Sequence, residues 1–172
     1  MAQELPDVIF LDRDGVINID RKDFVRSWEE FEFVPGVLMH LRMINEMGIK
    51  VIIISNQSCV ARGLITEKKL DFISSRMVSV IDKNGGSILD IFYCPHHPDG
   101  TVPPYNRECD CRKPKPGLIK KALTKYGIDP KKTWLVGDSQ RDVDAGKSAG
   151  CLKTILTETD EGLKTVMEAL LS

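Results

Sequence analysis

No run of purely aliphatic residues in this chain is longer than the four at positions 51–54. A membrane-spanning helix needs about 20. Neither sign of charge prevails: 24 lysines and arginines stand against 25 aspartates and glutamates, a net charge of −1. That balance argues against a general nucleic-acid or membrane-surface binder. The opening residues, MAQELPD, have neither a basic n-region nor an apolar h-region, so no secretory leader is expected. Repeats, linkers and low-complexity tracts are lacking too. Without export, the five cysteines point to reduced thiols, a metal site and the cytoplasm rather than to disulfides.

A chain of 172 residues suits one domain with a full-sized core. Short aliphatic runs at 8–11, 50–55, 88–94, 133–137 and 152–156 read as buried strands, because a parallel sheet covered on both faces needs near-continuous apolar character. Between them lie helical patterns. One spans 36–47, and a second runs from a Thr66 cap to about Lys83. A third lies between Pro116 and Gly127, a fourth runs from Ser139 or Gln140 to Ala149, and the last covers 161–171. Strand and helix alternate, so the expected fold is a single doubly wound, Rossmann-like α/β domain over residues 1–172. Trp28 and Trp134 are expected to pack.

Ligands of such folds collect at the carboxyl ends of the strands. The first strand ends in DRDGV, which puts Asp12 and Asp14 two apart. The second ends in SNQ, Ser55 to Gln57. After the third comes RKPKPG, with Arg112 and Lys113, and the fourth ends in GDSQRD, with Asp138 and Asp142. Each feature alone has a plain explanation: a D-x-D is commonly a turn, Asp138 a helix cap, Lys113 a solvated charge. Together they supply carboxylates for Mg²⁺, a hydroxyl and cations for phosphoryl oxygens, a nucleophile and an acid/base. That set fits phosphoryl transfer.

A second cluster packs Cys94, His96, His97, Cys109 and Cys111 into 18 residues. Cys94-x-His96 and Cys109-x-Cys111 make a Cys₃His set suited to tetrahedral Zn²⁺, with His96 and not His97 on the cysteine side by two-residue alternation. Four protein ligands leave no open position, so this zinc is expected to be structural. It would close a polar, Pro-rich loop and set Arg112 and Lys113 just downstream. No role is assigned to Cys59 or Cys151.

DRDGV, SNQ, CRKPKPG and GDSQRD resemble the four motifs of the haloacid dehalogenase superfamily of phosphatases, over nearly the whole chain. NID, FEFVPGV, SNQSCVARG and CPHHPDG…CDCRKPKPG narrow the resemblance to the branch that holds heptose-bisphosphate phosphatases and histidinol-phosphatases. The resemblance implies that Asp12 is the nucleophile, forming an aspartyl-phosphate, and that Asp14 is the acid/base. Mg²⁺ would be held by Asp12, Asp138, the Asp14 carbonyl and Asp142, and Ser55, Asn56 and Lys113 would hold the phosphoryl group.

It further implies a capless enzyme with three loops around the pocket, 18–34, 58–66 and the zinc loop. The residues expected to bind substrate are Asp20, Arg21, Lys22, Asp23, Asn56, Gln57, Arg62, Arg112 and Lys115. The implied substrate is a phosphorylated sugar, a heptose 1,7-bisphosphate cleaved at C7 during surface-glycan precursor synthesis. The contrasting readings are histidinol-phosphatase and a catalytically silent zinc module; the intact Asp12, Asp14, Lys113 and Asp138 speak against the latter. No nucleic-acid or membrane partner is expected, and the chain is expected to be a monomer. One departure is that Ser139 stands where the heptose enzymes often carry a lysine.

Overall fold

The computed structural model describes residues 4–172. The first three residues, part of the N-terminal stretch read above for a leader, lie outside them. Five strands, β1 (Val8–Leu11), β2 (Lys50–Asn56), β3 (Asp90–Cys94), β4 (Thr133–Gly137) and β5 (Lys153–Leu156), form one sheet in the order β3-β2-β1-β4-β5. Every pairing is parallel. The helices are α1 (Val37–Glu46), α2 (Glu67–Lys83), α3 (Gly117–Tyr126), α4 (Gln140–Ala149) and α5 (Lys164–Leu171).

The expected α/β sandwich is present, and alternation along each strand explains its two cores. Ile9, Leu11, Val51, Ile53, Trp134, Val136 and Ile155 face one side, with α1, α2 and α5. Val8, Phe10, Ile52, Ile54 and Leu135 face the other, with Leu118, Ile119 and Ala122 of α3 and Ala145 of α4. Fully burying one such side chain is worth about 1.5–3 kcal/mol, and both faces of the central strands do so. Among the described residues, no helix is long and apolar enough to cross a membrane.

Boundaries differ from expectation mainly at the sheet edges and the last helix. β3 begins at Asp90 rather than at 88, and β5 at Lys153 rather than 152. Leu152, just ahead of the edge strand β5, is half exposed. The last helix begins at Lys164, three residues late, since Gly162 (φ 64°) turns the chain first. Trp134 is buried in β4, and Trp28 stacks on Phe31 with ring centroids 5.1 Å apart. Residues 12–36 carry one short 3₁₀ turn, Trp28–Glu30, and no inserted cap.

Candidate active site

Parallel register brings the strand ends together. Leu11 pairs with Ile53 on one side and Val136 on the other, and the Asp12 amide donates to the Val136 carbonyl at 2.9 Å. Asp12 is thereby set beside Asp138 and Asp142. The carboxylate oxygens of all three lie within 4.8 Å of one another.

Two glycines make this possible. A side chain on Gly15 (φ 82°) would collide with the Asp138 carboxylate, and one on Gly137 with Asp142. The missing side chain of Gly15 leaves the room that the Asp138 carboxylate occupies. Thr159, from the loop after β5, donates to Asp138 Oδ2 at 2.8 Å.

Lys113 is the cation of the cluster, 3 % exposed. Its Nζ donates to Asp12 Oδ1 at 2.9 Å and the Ile54 carbonyl at 2.7 Å, and pairs with Asp142 Oδ1 at 2.6 Å. Asn56 clamps its backbone from both sides: Oδ1 accepts from the Lys113 N–H at 3.0 Å, and Nδ2 donates to the Lys113 carbonyl at 3.1 Å. Burial works against the Lys113 charge, but Asp12 and Asp142 outweigh it and hold its pKa above the ordinary value.

One lysine does not neutralise three carboxylates. Burial pushes Asp12 up to about 7, with Asp142 and Asp14 adding to the rise against the pull of Lys113. Burial likewise raises Asp138. A divalent cation would relieve both. The donors are all hard oxygens, which suits Mg²⁺ and not a thiophilic metal.

Asp14 is different. Burial opposes its charge, yet its pKa is lowered, because Arg13 Nη2 (2.8 Å) and Asn18 Nδ2 (3.0 Å) donate to Oδ1 and Gln57 Nε2 (2.7 Å) donates to Oδ2. Gln57 Nε2 also donates to Ser55 Oγ at 2.7 Å. Ser55 is 1 % exposed and does not line the cleft. The structure therefore places it under Gln57, as a support for the amide, rather than in the wall where a phosphoryl oxygen would be held.

The cleft has a volume of about 540 Å³, and all three expected loops contribute to it. Asp20, Arg21, Asn56, Gln57, Arg62 and Arg112 line it; Lys22, Asp23 and Lys115 do not. Asp23 is spent on Arg21 at 3.0 Å. Lys115 Nζ donates to the Cys109 carbonyl at 3.0 Å and lies 3.6 Å from Glu108, so it braces the zinc loop instead.

Ser139, at the position of the missing lysine, caps α4 by donating from N and Oγ to Asp142 Oδ2 at 3.1 and 2.7 Å. Arg141, one residue into α4 and unpaired with any carboxylate among the described residues, lines the same wall. The sequence reading missed it, along with Arg13, Asn18, His97 and Thr159. Arg141 and Arg13 stood inside the quoted motifs and could have been found there. Thr159 carried no signal.

The Cys94, His96, Cys109 and Cys111 ligand atoms form a compact tetrad. The sulfurs are 3.0, 3.4 and 3.5 Å apart, and His96 Nδ1 lies 3.3 and 3.7 Å from Cys111 and Cys94. Zn–S bonds of about 2.3 Å at tetrahedral angles imply edges of about 3.8 Å, so small expansions seat the ion. Proton sharing between Cys94 and Cys111 pushes Cys94 up and Cys111 down to about 5, the thiolate form a metal requires. Cys59 is buried, with its thiol toward Gln57 Oε1 at 3.5 Å.

A HAD-hydrolase-like family model matches residues 110–170. A D-glycero-α-D-manno-heptose-1,7-bisphosphate 7-phosphatase of Photorhabdus laumondii is 43 % identical over 88 % of this chain and 82 % of its own length. The chain belongs to the D-glycero-D-manno-heptose-1,7-bisphosphate 7-phosphatase family. The same bacterium has a β-anomer enzyme, 35 % identical over 98 % of this chain and 88 % of its own. The structure of the family's Bordetella bronchiseptica (B. bronchiseptica) member, complexed with magnesium and phosphate, superposes with a TM-score of 0.82 at 37 % identity, covering 94 % of this chain and 86 % of that one.

Proposed function

We infer that this chain hydrolyses the C7 phosphate of D-glycero-D-manno-heptose 1,7-bisphosphate and leaves the C1 phosphate in place. The observation that carries the reading is the joining of two features in one cleft: the Asp12, Lys113, Asp138, Asp142 cluster and a wall of cations, Arg62, Arg112 and Arg141. Histidinol phosphate, with an ammonium in place of the second phosphate, would gain little from that wall. The relatives' names support the same substrate.

Mg²⁺ would be held by Asp12, Asp138 and Asp142, with the Asp14 carbonyl, and when bound it neutralises charge on the phosphoryl oxygens. The Asp12 carboxylate attacks phosphorus in line, and the bond to the C7 oxygen breaks as Asp14 gives that oxygen a proton. The acyl phosphate on Asp12 is then attacked by a water that Asp14 deprotonates, which releases inorganic phosphate. Lys113, fixed by Asn56, holds Asp12 in place and offsets charge. The resting Asp14 is in the ionised state that the second step needs. Its proton for the first step comes with the substrate, whose phosphate has a second pKa of about 6.

Phosphate-ester hydrolysis is among the slowest uncatalysed reactions, and its enzymes reach enhancements of roughly 10²¹-fold. A nucleophile, an acid and preorganised charge are all required, and all are present. The cleft is complete within one chain, so a monomer suffices. Three structural thiolates suit a reducing cytoplasm.

Two experiments test this. Side-by-side kcat/KM values for both bisphosphate anomers and histidinol phosphate should favour a bisphosphate, and the higher identity to the α-anomer relative makes the α form the expected winner. Preference for histidinol phosphate would overturn the substrate. Second, metal-free Asp12 binds a proton below about pH 7, so Mg²⁺ must displace it. Calorimetric Mg²⁺ affinity without substrate should therefore fall about tenfold per pH unit below 7 and level off above it. An affinity flat across that range would contradict the cluster as the Mg²⁺ site.

A further inference from the structure

His97 is the neighbour of a zinc-cluster ligand, but its ring turns away from the cluster to the cleft. The backbone N–H of Asp99 donates to its Nδ1 at 3.1 Å. That nitrogen is an acceptor, so the ring proton sits on Nε2. Nε2 in turn lies 3.4 Å from Arg62 Nη2, which can only donate. Two N–H groups face each other, and among the described residues no acceptor stands between them. On the same wall Arg112 Nη1 is buried without a partner. A buried donor is almost always paired, and one left over beside two facing N–H groups at the more exposed rim of the same wall calls for an acceptor with several lone pairs and negative charge.

We propose that His97 is a specificity-determining residue, whose Nε2–H joins Arg62 and Arg112 in receiving the phosphate that the enzyme leaves in place. This rests on the bisphosphate reading above. Asp99 fixes the tautomer through its backbone, so the ring always presents a donor. A phosphate oxygen inserted between His97 and Arg62 accepts from both and turns a donor–donor contact into two charge-assisted hydrogen bonds. The ring's place beside His96 in sequence also ties this donor to the metal-bound loop, which holds it against the second loop at Arg62.

The test compares kcat/KM for the heptose bisphosphate with that for the same heptose carrying only the 7-phosphate. His97→Leu keeps apolar bulk and removes the donor. His97→Gln puts an amide N–H where Nε2 was. In His97→Leu the bisphosphate preference should fall roughly 10- to 100-fold, the worth of one hydrogen bond to a charged group, mostly through KM. His97→Gln should recover much of it, with zinc content equal to wild type in both. Arg62→Met, across the same gap, should lower the ratio likewise.

An unchanged preference in His97→Leu, or equal losses in Leu and Gln variants together with lost zinc, would overturn the assignment while leaving the bisphosphate reading intact. A wild-type enzyme with no preference for the bisphosphate would overturn both.

Discussion

Asp12→Asn is expected to fold, bind zinc and turn over no substrate. The amide has nearly the volume of the carboxylate but cannot form the acyl phosphate, and it is a poorer ligand for Mg²⁺. Losing the nucleophile of a covalent mechanism costs on the order of 10⁶-fold in kcat. Stability should not suffer, because Asp12 is one of three clustered carboxylates and Lys113 keeps its 2.6 Å pair with Asp142. Removing a buried charge that is pushed toward its protonated form relieves repulsion. Steady-state turnover and thermal unfolding of the same preparation check both halves. Near wild-type activity would mean that Asp12 is not the nucleophile.

The second large effect belongs to the other metal site. Cys111→Ala leaves three ligands and removes the thiol held nearest the thiolate form. The sequence from Cys94 to Cys111 folds back through turns and has no helix or strand of its own after β3. Structural zinc binding is worth roughly 10–16 kcal/mol in small peptides. Losing even a third of that is a large part of the about 5–15 kcal/mol by which domains are stable.

Cys111→Ala should therefore lose its zinc, unfold at a much lower temperature and lose activity, because Arg112 and Lys113 follow Cys111 directly. Loss of activity on chelating Mg²⁺ should be reversed by adding Mg²⁺ alone. Full zinc occupancy and normal stability in the variant would show that the tetrad is not the site.

Much of this site was legible in the sequence because it sits at strand ends. The buried runs fixed where β1, β2 and β4 stop, and the polar residues following them had one place to go. For Asp14 the strand pattern gives no guide, because β1 ends at Leu11 and what holds Asp14 is a turn closed by three amides, those of Val16, Ile17 and Asn18, on the Arg13 carbonyl.

The substrate wall was harder to read. Lys115 looked equivalent to Arg112 in sequence, yet the turn closed by the Lys115 N–H on the Arg112 carbonyl leaves Arg112 at the cleft and Lys115 on the Cys109 carbonyl. Ser55 lies at the right strand end, but its hydroxyl is buried and takes a hydrogen bond from Gln57, two residues on. Arg141 stands two residues after Ser139 and lines the same cleft, a cation the local pattern reads as an ordinary exposed helix residue.

The most direct check of the central claim is ³¹P NMR of heptose 1,7-bisphosphate incubated with the enzyme and Mg²⁺. The two phosphates resonate separately, so the spectrum reports which one leaves. The C7 resonance should vanish as inorganic phosphate appears, while the C1 resonance persists in the sugar 1-phosphate. Loss of the C1 phosphate first, or of both at equal rates, would contradict the proposed orientation of substrate in the cleft.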